Sequence, residues 1–129
     1  IQADGGTRCA SITGSCVALV QAIQDLQYRK VINCNPLKFL VCGVSLGLHG
    51  NNVILDMNYE EDKITDLDMN VVIANDSSIR EVQSSVENNM SSPDLARITE
   101  MLNFAVEASR KIFSIQAKYL GLSSENIKI

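Results

Sequence analysis

The ten residues FLVCGVSLGL, positions 39–48, narrow the fold more than any other stretch of the chain. Leu40, Cys42, Val44, Leu46 and Leu48 fall on one side of a pleat and Gly43, Ser45 and Gly47 on the other, because successive side chains of a strand point to opposite faces. The small side lets another element approach closely. Ten residues are too few for a helix that crosses a bilayer, which needs about 20, so a soluble chain with no membrane part is expected.

The other elements follow from pattern. His-Gly-Asn-Asn at 49–52 supplies turn chemistry before residues 53–57, which predicts a hairpin with 39–48. His49, the only histidine, is read as a solvated turn residue. Residues 69–74 and 79–86 read as a second hairpin around Asn75-Asp76-Ser77-Ser78. Upstream, Ile12, Cys16, Leu19, Ile23 and Leu26 recur at steps of three and four, which predicts a helix from Thr7 to about Tyr28 with that face buried. Pro36 ends the pattern. Downstream, Ser91-Ser92-Pro93-Asp94 has the form of a helix start, with serine as N-cap and proline at the first helical position. Ile98, Leu102, Ala105, Ile112 and Phe113 carry that helix to about Leu120, and Gly121 fits its end. Helix, two hairpins, helix is the order of an α+β domain, a mostly antiparallel or mixed sheet covered by two long helices.

At 129 residues and 46% hydrophobic content the chain suits one domain with a real core. It has no tryptophan and few aromatics, so base stacking is not its obvious role. Cys9, Cys16, Cys34 and Cys42 lack C-x-x-C spacing and sit among apolar or small residues, the usage of buried free thiols in a reducing cytosol. A cytoplasmic protein is expected. The net charge of −4 argues against a nucleic-acid binder that works alone, since affinity for a phosphate backbone comes mostly from Lys and Arg. The acidity is local: Asp56, Glu60, Glu61, Asp62, Asp66 and Asp68 stand against the single base Lys63. Such a run is ordinarily a solvated loop.

Two constellations carry chemistry. In DGGTR, Gly5 and Gly6 permit close backbone approach, and the helix they open presents unpaired N–H groups that attract an anion. Arg8 adds a fork of donors suited to phosphate and Thr7 a hydroxyl. In YEEDKITDLDMN, Asp62 and Asp68 lie six residues apart in a segment expected to be irregular, and such a carboxylate pair can hold a Mg²⁺ that also meets phosphate oxygens. Together they suggest phosphoryl chemistry.

Three ordered blocks carry a resemblance: IQADGGTRCASITGSCVAL, then NPLKFLVCGVSLGL, then LDMNYEEDKITDLDMNVV followed by EVQ. From residue 1 to about 118 the chain resembles the second half of ribonuclease PH, of the phosphorolytic exoribonuclease family that includes polynucleotide phosphorylase and exosome core subunits. The resemblance implies that residues 1–129 are the C-terminal part of a ribonuclease PH-like domain, with the N-terminal half lying outside the sequence. Ile1 in place of Met, and IQAD as the end of a strand, agree with that expectation. It implies a phosphate-dependent 3′-to-5′ exoribonuclease, also called tRNA nucleotidyltransferase, that trims tRNA 3′ ends and releases nucleoside diphosphates. Gly6, Thr7 and Arg8 would bind inorganic phosphate, the co-substrate, while Asp62 and Asp68 would serve catalysis and bind Mg²⁺. The implied partners are RNA and further copies in a hexameric ring, or a separate N-terminal half. The rival expectation is a non-catalytic structural subunit of an exosome-like ring. The chain departs from the family at Ser84-Ser85-Val86-Glu87-Asn88, where G-T-A-E-G is common, and at Leu67, where threonine is usual.

Overall fold

The structure is a computed structural model and describes residues 4–87 and 93–122. In chain order the elements are α1 (Thr7–Tyr28), β1 (Val41–His49), β2 (Asn52–Leu55), α2 (Tyr59–Ile64), β3 (Leu67–Ala74), β4 (Ile79–Val86) and α3 (Leu95–Leu120). The four strands form one sheet in the order β2-β1-β3-β4, each pair antiparallel. The α+β architecture and both hairpins are those the sequence predicts, and β1 and β3 join the hairpins edge to edge.

Register explains how the sheet divides its labour. Directly opposed residues share a face, so Val44, Val71 and Val82 lie together, as do Leu48, Leu67 and Val86. On this side Leu40, Cys42, Leu46, Met69, Val71 and Ile73 are wholly buried in a core with Met101, Ala105, Phe113 and Leu120 of α3, and the same buried cluster extends to Cys16 and Val20 of α1. The other side carries Gly43 opposite Val72 and then Glu81, Ser45 opposite Asn70 and then Gln83, and Gly47 opposite Asp68 and then Ser85. It is small on β1 and polar on β3 and β4.

Helix α1 is seated on that small side. A Cβ at Gly43 would lie 2.6 Å from the Cys9 Cα, so only glycine allows the helix this close. β2 is short and leaves the first residues of β1 with an open edge, whose backbone groups must be satisfied. Side chains do so: the Gly43 N–H donates to Thr13 Oγ1 (3.1 Å), the Val41 N–H to Cys16 Sγ (3.3 Å), and Gln116 Nε2 of α3 donates to the Val41 carbonyl (3.1 Å). α1 is long and apolar enough to cross a membrane by length and composition, yet here its polar Thr13 and its Cys16 close a sheet edge.

This docking corrects the expected face of α1. The buried stripe is Cys9, Cys16 and Val20, whereas Leu19 is 52% exposed and Ile12, Ile23 and Leu26 are half-buried. The bonds from Thr13 and Cys16 to β1 rotate the helix, and the apolar periodicity alone does not contain them. Cys9, Cys16 and Cys42 are buried free thiols, but Cys34, in the turn region before Pro36, is exposed.

Two further expectations change. The segment around Asp62 is not irregular: α2 forms there, nucleated by a reciprocal capping box in which Asn58 Oδ1 accepts from the Glu61 N–H and Glu61 Oε2 accepts from the Asn58 N–H, each at 3.0 Å. The N-cap of α3 is Asp94, whose carboxylate accepts from the Arg97 N–H (2.8 Å), and the helix begins at Leu95. Ser91 and Ser92 lie outside the described residues, as do Ile1 to Ala3 of the expected strand end and Asn88 of the stretch 84–88 that departs from the family, whose Ser84, Ser85 and Val86 belong to β4. Gly121 ends α3 in the left-handed conformation, as expected.

Candidate functional site

The approach to α1 is fixed from below. Asp4 Oδ1 accepts from the Tyr59 N–H (2.8 Å), and a Cβ at Gly5 would fall 1.9 Å from the Met57 carbonyl oxygen. Only glycine can pass there. Gly6 follows with φ of 66° as the N-cap of α1, without a side-chain cap bond. The helix's own ladder starts with the Ala10 N–H on the Gly6 carbonyl (3.0 Å), so the N–H groups of Thr7, Arg8 and Cys9 precede it and point out of the helix end. Thr7 and Arg8 are exposed.

Arg8 reaches across the small side of the sheet and pairs with Glu81 of β4. Both side chains are close to half exposed, and an ion pair so wetted contributes about 0–1 kcal/mol. A phosphate dianion can therefore take Glu81's place on the guanidinium at little cost.

The carboxylates gather on the same side. Asp62 projects from α2, Asp68 stands on β3, and with Lys63 and Glu87 they line a cleft of about 360 Å³. Burial pushes the Asp68 pKa up, and the charges of Asp62 and Glu87 push it further. Asn70 Nδ2 donates to Asp68 Oδ2 (3.1 Å), and the Met69 backbone N–H also bonds the carboxylate; both act in the opposite sense. Glu87 is anchored by the Ser85 hydroxyl (2.7 Å) and by its own N–H on the Asp66 carbonyl (2.9 Å).

One side-chain chain links the two constellations. Cys9, the residue after Arg8, donates its thiol to Asn70 Oδ1 (3.0 Å), and Asn70 holds Asp68. Burial first, then the Asp68 charge, raises the Cys9 pKa to about 11. At neutral pH it is a thiol. The sequence motifs at 6–8 and 62–68 thus meet on one face of the sheet, beneath one helix end.

Mg²⁺ suits the carboxylates that are present. The donors are hard oxygens, and the upward push on Asp68 from its acidic neighbours is a demand for positive charge. Among the described residues no group of three or more His, Cys, Asp or Glu is placed to share an ion. An ion held by Asp62 and Asp68 would complete its shell with water or substrate oxygens, as Mg²⁺ ordinarily does. The larger apolar groove of about 620 Å³, between α1 and residues 36–41, includes none of Arg8, Asp62 or Asp68.

Sequence reasoning named Gly6, Thr7, Arg8, Asp62 and Asp68 but passed over Cys9, Asn70, Glu81 and Glu87. Asn70 was within reach of it: two residues after Asp68 in a strand, it must share that side chain's face. Glu81 was not, because its place beside Arg8 depends on strand register and on the seating of α1.

Comparison with known proteins bears on the family and the fold. The family model described as "3' exoribonuclease family, domain 2" matches residues 40–115. Among solved structures, that of rice (Oryza sativa) Rrp46 superposes with a TM-score of 0.70 at 24% identity, covering 94% of this chain and 51% of Rrp46. The chain therefore spans about half the length of that relative.

Proposed function

Since the chain belongs to the 3′ exoribonuclease family, whose second domain it matches over residues 40–115, we propose that its site degrades RNA from the 3′ end by phosphorolysis, as the catalytic part of a larger unit. The carrying observation is the Cys9–Asn70–Asp68 chain, which brings the anion-attracting end of α1 and the carboxylate cleft onto one face.

In this reading the open N–H groups of α1, the Thr7 hydroxyl and the Arg8 guanidinium hold inorganic phosphate, with Glu81 giving way. One phosphate oxygen attacks the phosphorus of the last phosphodiester. The bond to the 3′ oxygen of the preceding nucleotide breaks, that oxygen takes a proton, and a nucleoside diphosphate leaves. No covalent enzyme intermediate is needed, so catalysis is positioning plus charge stabilisation. Bound Mg²⁺ would supply the charge that offsets the gathering phosphate oxygens. Asp62 and Asp68 would hold it, with Asn70 bonding Asp68.

RNA binding needs more than this chain supplies. With a net charge of −4 it has few cations for a phosphate backbone. We assign the remaining RNA surface to an N-terminal half or to neighbouring subunits of a ring, with tRNA 3′ ends as the substrate, Mg²⁺ as the cofactor and the cytoplasm as the compartment. The rival reading, a structural ring subunit without turnover, draws support from the Arg8–Glu81 pair, which engages the guanidinium within the chain itself.

The test is to follow 5′-labelled RNA with the full-length protein and Mg²⁺ while phosphate is varied. The proposal expects shortening from the 3′ end whose rate saturates with phosphate. RNA that stays intact at every phosphate concentration favours the structural subunit.

A further inference from the structure

We propose that Asn70 is a positioning residue for Asp68, with the Cys9 thiol as its anchor, and that the pair sets the placement of the metal-holding carboxylate relative to the end of α1. The inference rests on the phosphorolytic reading for its kinetic arm but not for its binding arm.

The amide has only one workable orientation. The Asp68 carboxylate can accept but not donate, so Asn70 must turn its NH₂ toward Oδ2, which leaves its Oδ1 facing Cys9. That oxygen needs a donor, and the buried Cys9 provides its S–H. Cys9 is 5% exposed and its backbone bears directly on Gly43, so it does not drift. The chain Cys9–Asn70–Asp68 thus starts from the residue next to Arg8 and ends on one carboxylate oxygen. Without Cys9 the amide loses its anchor, and without Asn70 the carboxylate keeps only its bond from the Met69 N–H.

The experiment is a double-mutant cycle in the full-length protein with Cys9→Ala, Asn70→Ala and the pair, plus Cys9→Ser, which restores a donor. Two readouts are taken: Mn²⁺ affinity by electron paramagnetic resonance, and phosphorolysis with phosphate and Mg²⁺ varied separately. Outer-shell partners of metal ligands typically change affinity or activity by about 10–100-fold, so Asn70→Ala should weaken Mn²⁺ and raise the Mg²⁺ requirement within that range. The KM for phosphate should stay within about twofold, because Arg8 and the helix end are untouched. Cys9→Ala should lose less, on the order of 2–10-fold, as befits one neutral hydrogen bond. Cys9→Ser should recover most of that loss, and the double variant should match Asn70→Ala. Unchanged Mn²⁺ affinity in a folded Asn70→Ala protein, or additive effects of the two alanines, overturns the proposal. If the Mn²⁺ pattern holds but no variant and no wild type phosphorolyses RNA, the positioning role stands and the enzymatic reading fails.

Discussion

Gly43→Ala probes the contact on which the site's geometry depends. The added methyl would lie 2.6 Å from the Cys9 Cα, 2.9 Å from the Cys9 Cβ and 2.9 Å from its carbonyl oxygen. Two of these are backbone atoms, so no rotamer change relieves the clash, and α1 must lift from β1 by several tenths of an ångström or more. Overpacking of a well-packed interior costs about 1–3 kcal/mol. Lifting the helix also stretches the Thr13 and Cys16 bonds to the β1 edge, which places the expectation at the upper end. For a protein of this size or about twice it, that corresponds to a fall in Tm of roughly 4–15 °C. Gly14→Ala is the matched control: it lies on the same helix with nothing within 4 Å of an added Cβ, and should stabilise by about 0.5–1 kcal/mol. Thermal and denaturant unfolding of the full-length protein give both numbers, and phosphorolysis reports whether Arg8 and Cys9 have moved. A Gly43→Ala protein within about 0.5 kcal/mol of wild type, the usual spread of surface changes, would refute the close seating of α1.

Other outcomes follow from the site itself. Arg8→Lys keeps the charge but loses the planar fork, so the KM for phosphate should rise while RNA dependence changes little; kinetics at varied phosphate check this. Asp62→Asn and Asp68→Asn should each lower diphosphate release by a factor of about 100 or more through loss of metal-held charge stabilisation, read by product assays over a Mg²⁺ titration. Asp68→Asn has a second signature, because its pKa is raised in the folded protein by burial and by Asp62 and Glu87. The native state then holds the proton to higher pH than the unfolded chain, and the ionised carboxylate costs stability above the ordinary carboxylate range. Removing the charge should raise Tm at neutral pH, with the gain fading as pH falls through that range. This 129-residue chain alone, at net charge −4, should show no sub-micromolar RNA affinity in a titration at low salt.

Much of this architecture is legible in residues alone. The Leu40–Leu48 alternation, the turn residues at 49–52 and 75–78, and Gly121 each specify a local geometry that the fold adopts. What escaped depends on contacts between distant segments. The buried stripe of α1 runs through Cys9, Cys16 and Val20 because β2 ends early and Thr13 and Cys16 close the edge it leaves. A hydrophobic period carries no record of a polar bond to a strand edge. α2 was readable in principle, since Asn58 and Glu61 have capping-box spacing, but the acidic run around them looks like a loop. In the site, Arg8, Asp62 and Asp68 stood out by chemistry and Asn70 follows from its place two residues after Asp68 in one strand, whereas Glu81 acquires a role only once register and the seating of α1 set it beside Arg8.

The most direct measurement supplies ³²P-orthophosphate to the full-length protein with RNA and Mg²⁺ and locates the label in the released nucleotides. Phosphorolysis predicts nucleoside diphosphates labelled at the β position, formed only when phosphate is present and lost in Arg8→Ala. Unlabelled nucleoside monophosphates, or RNA left intact under these conditions, would contradict it.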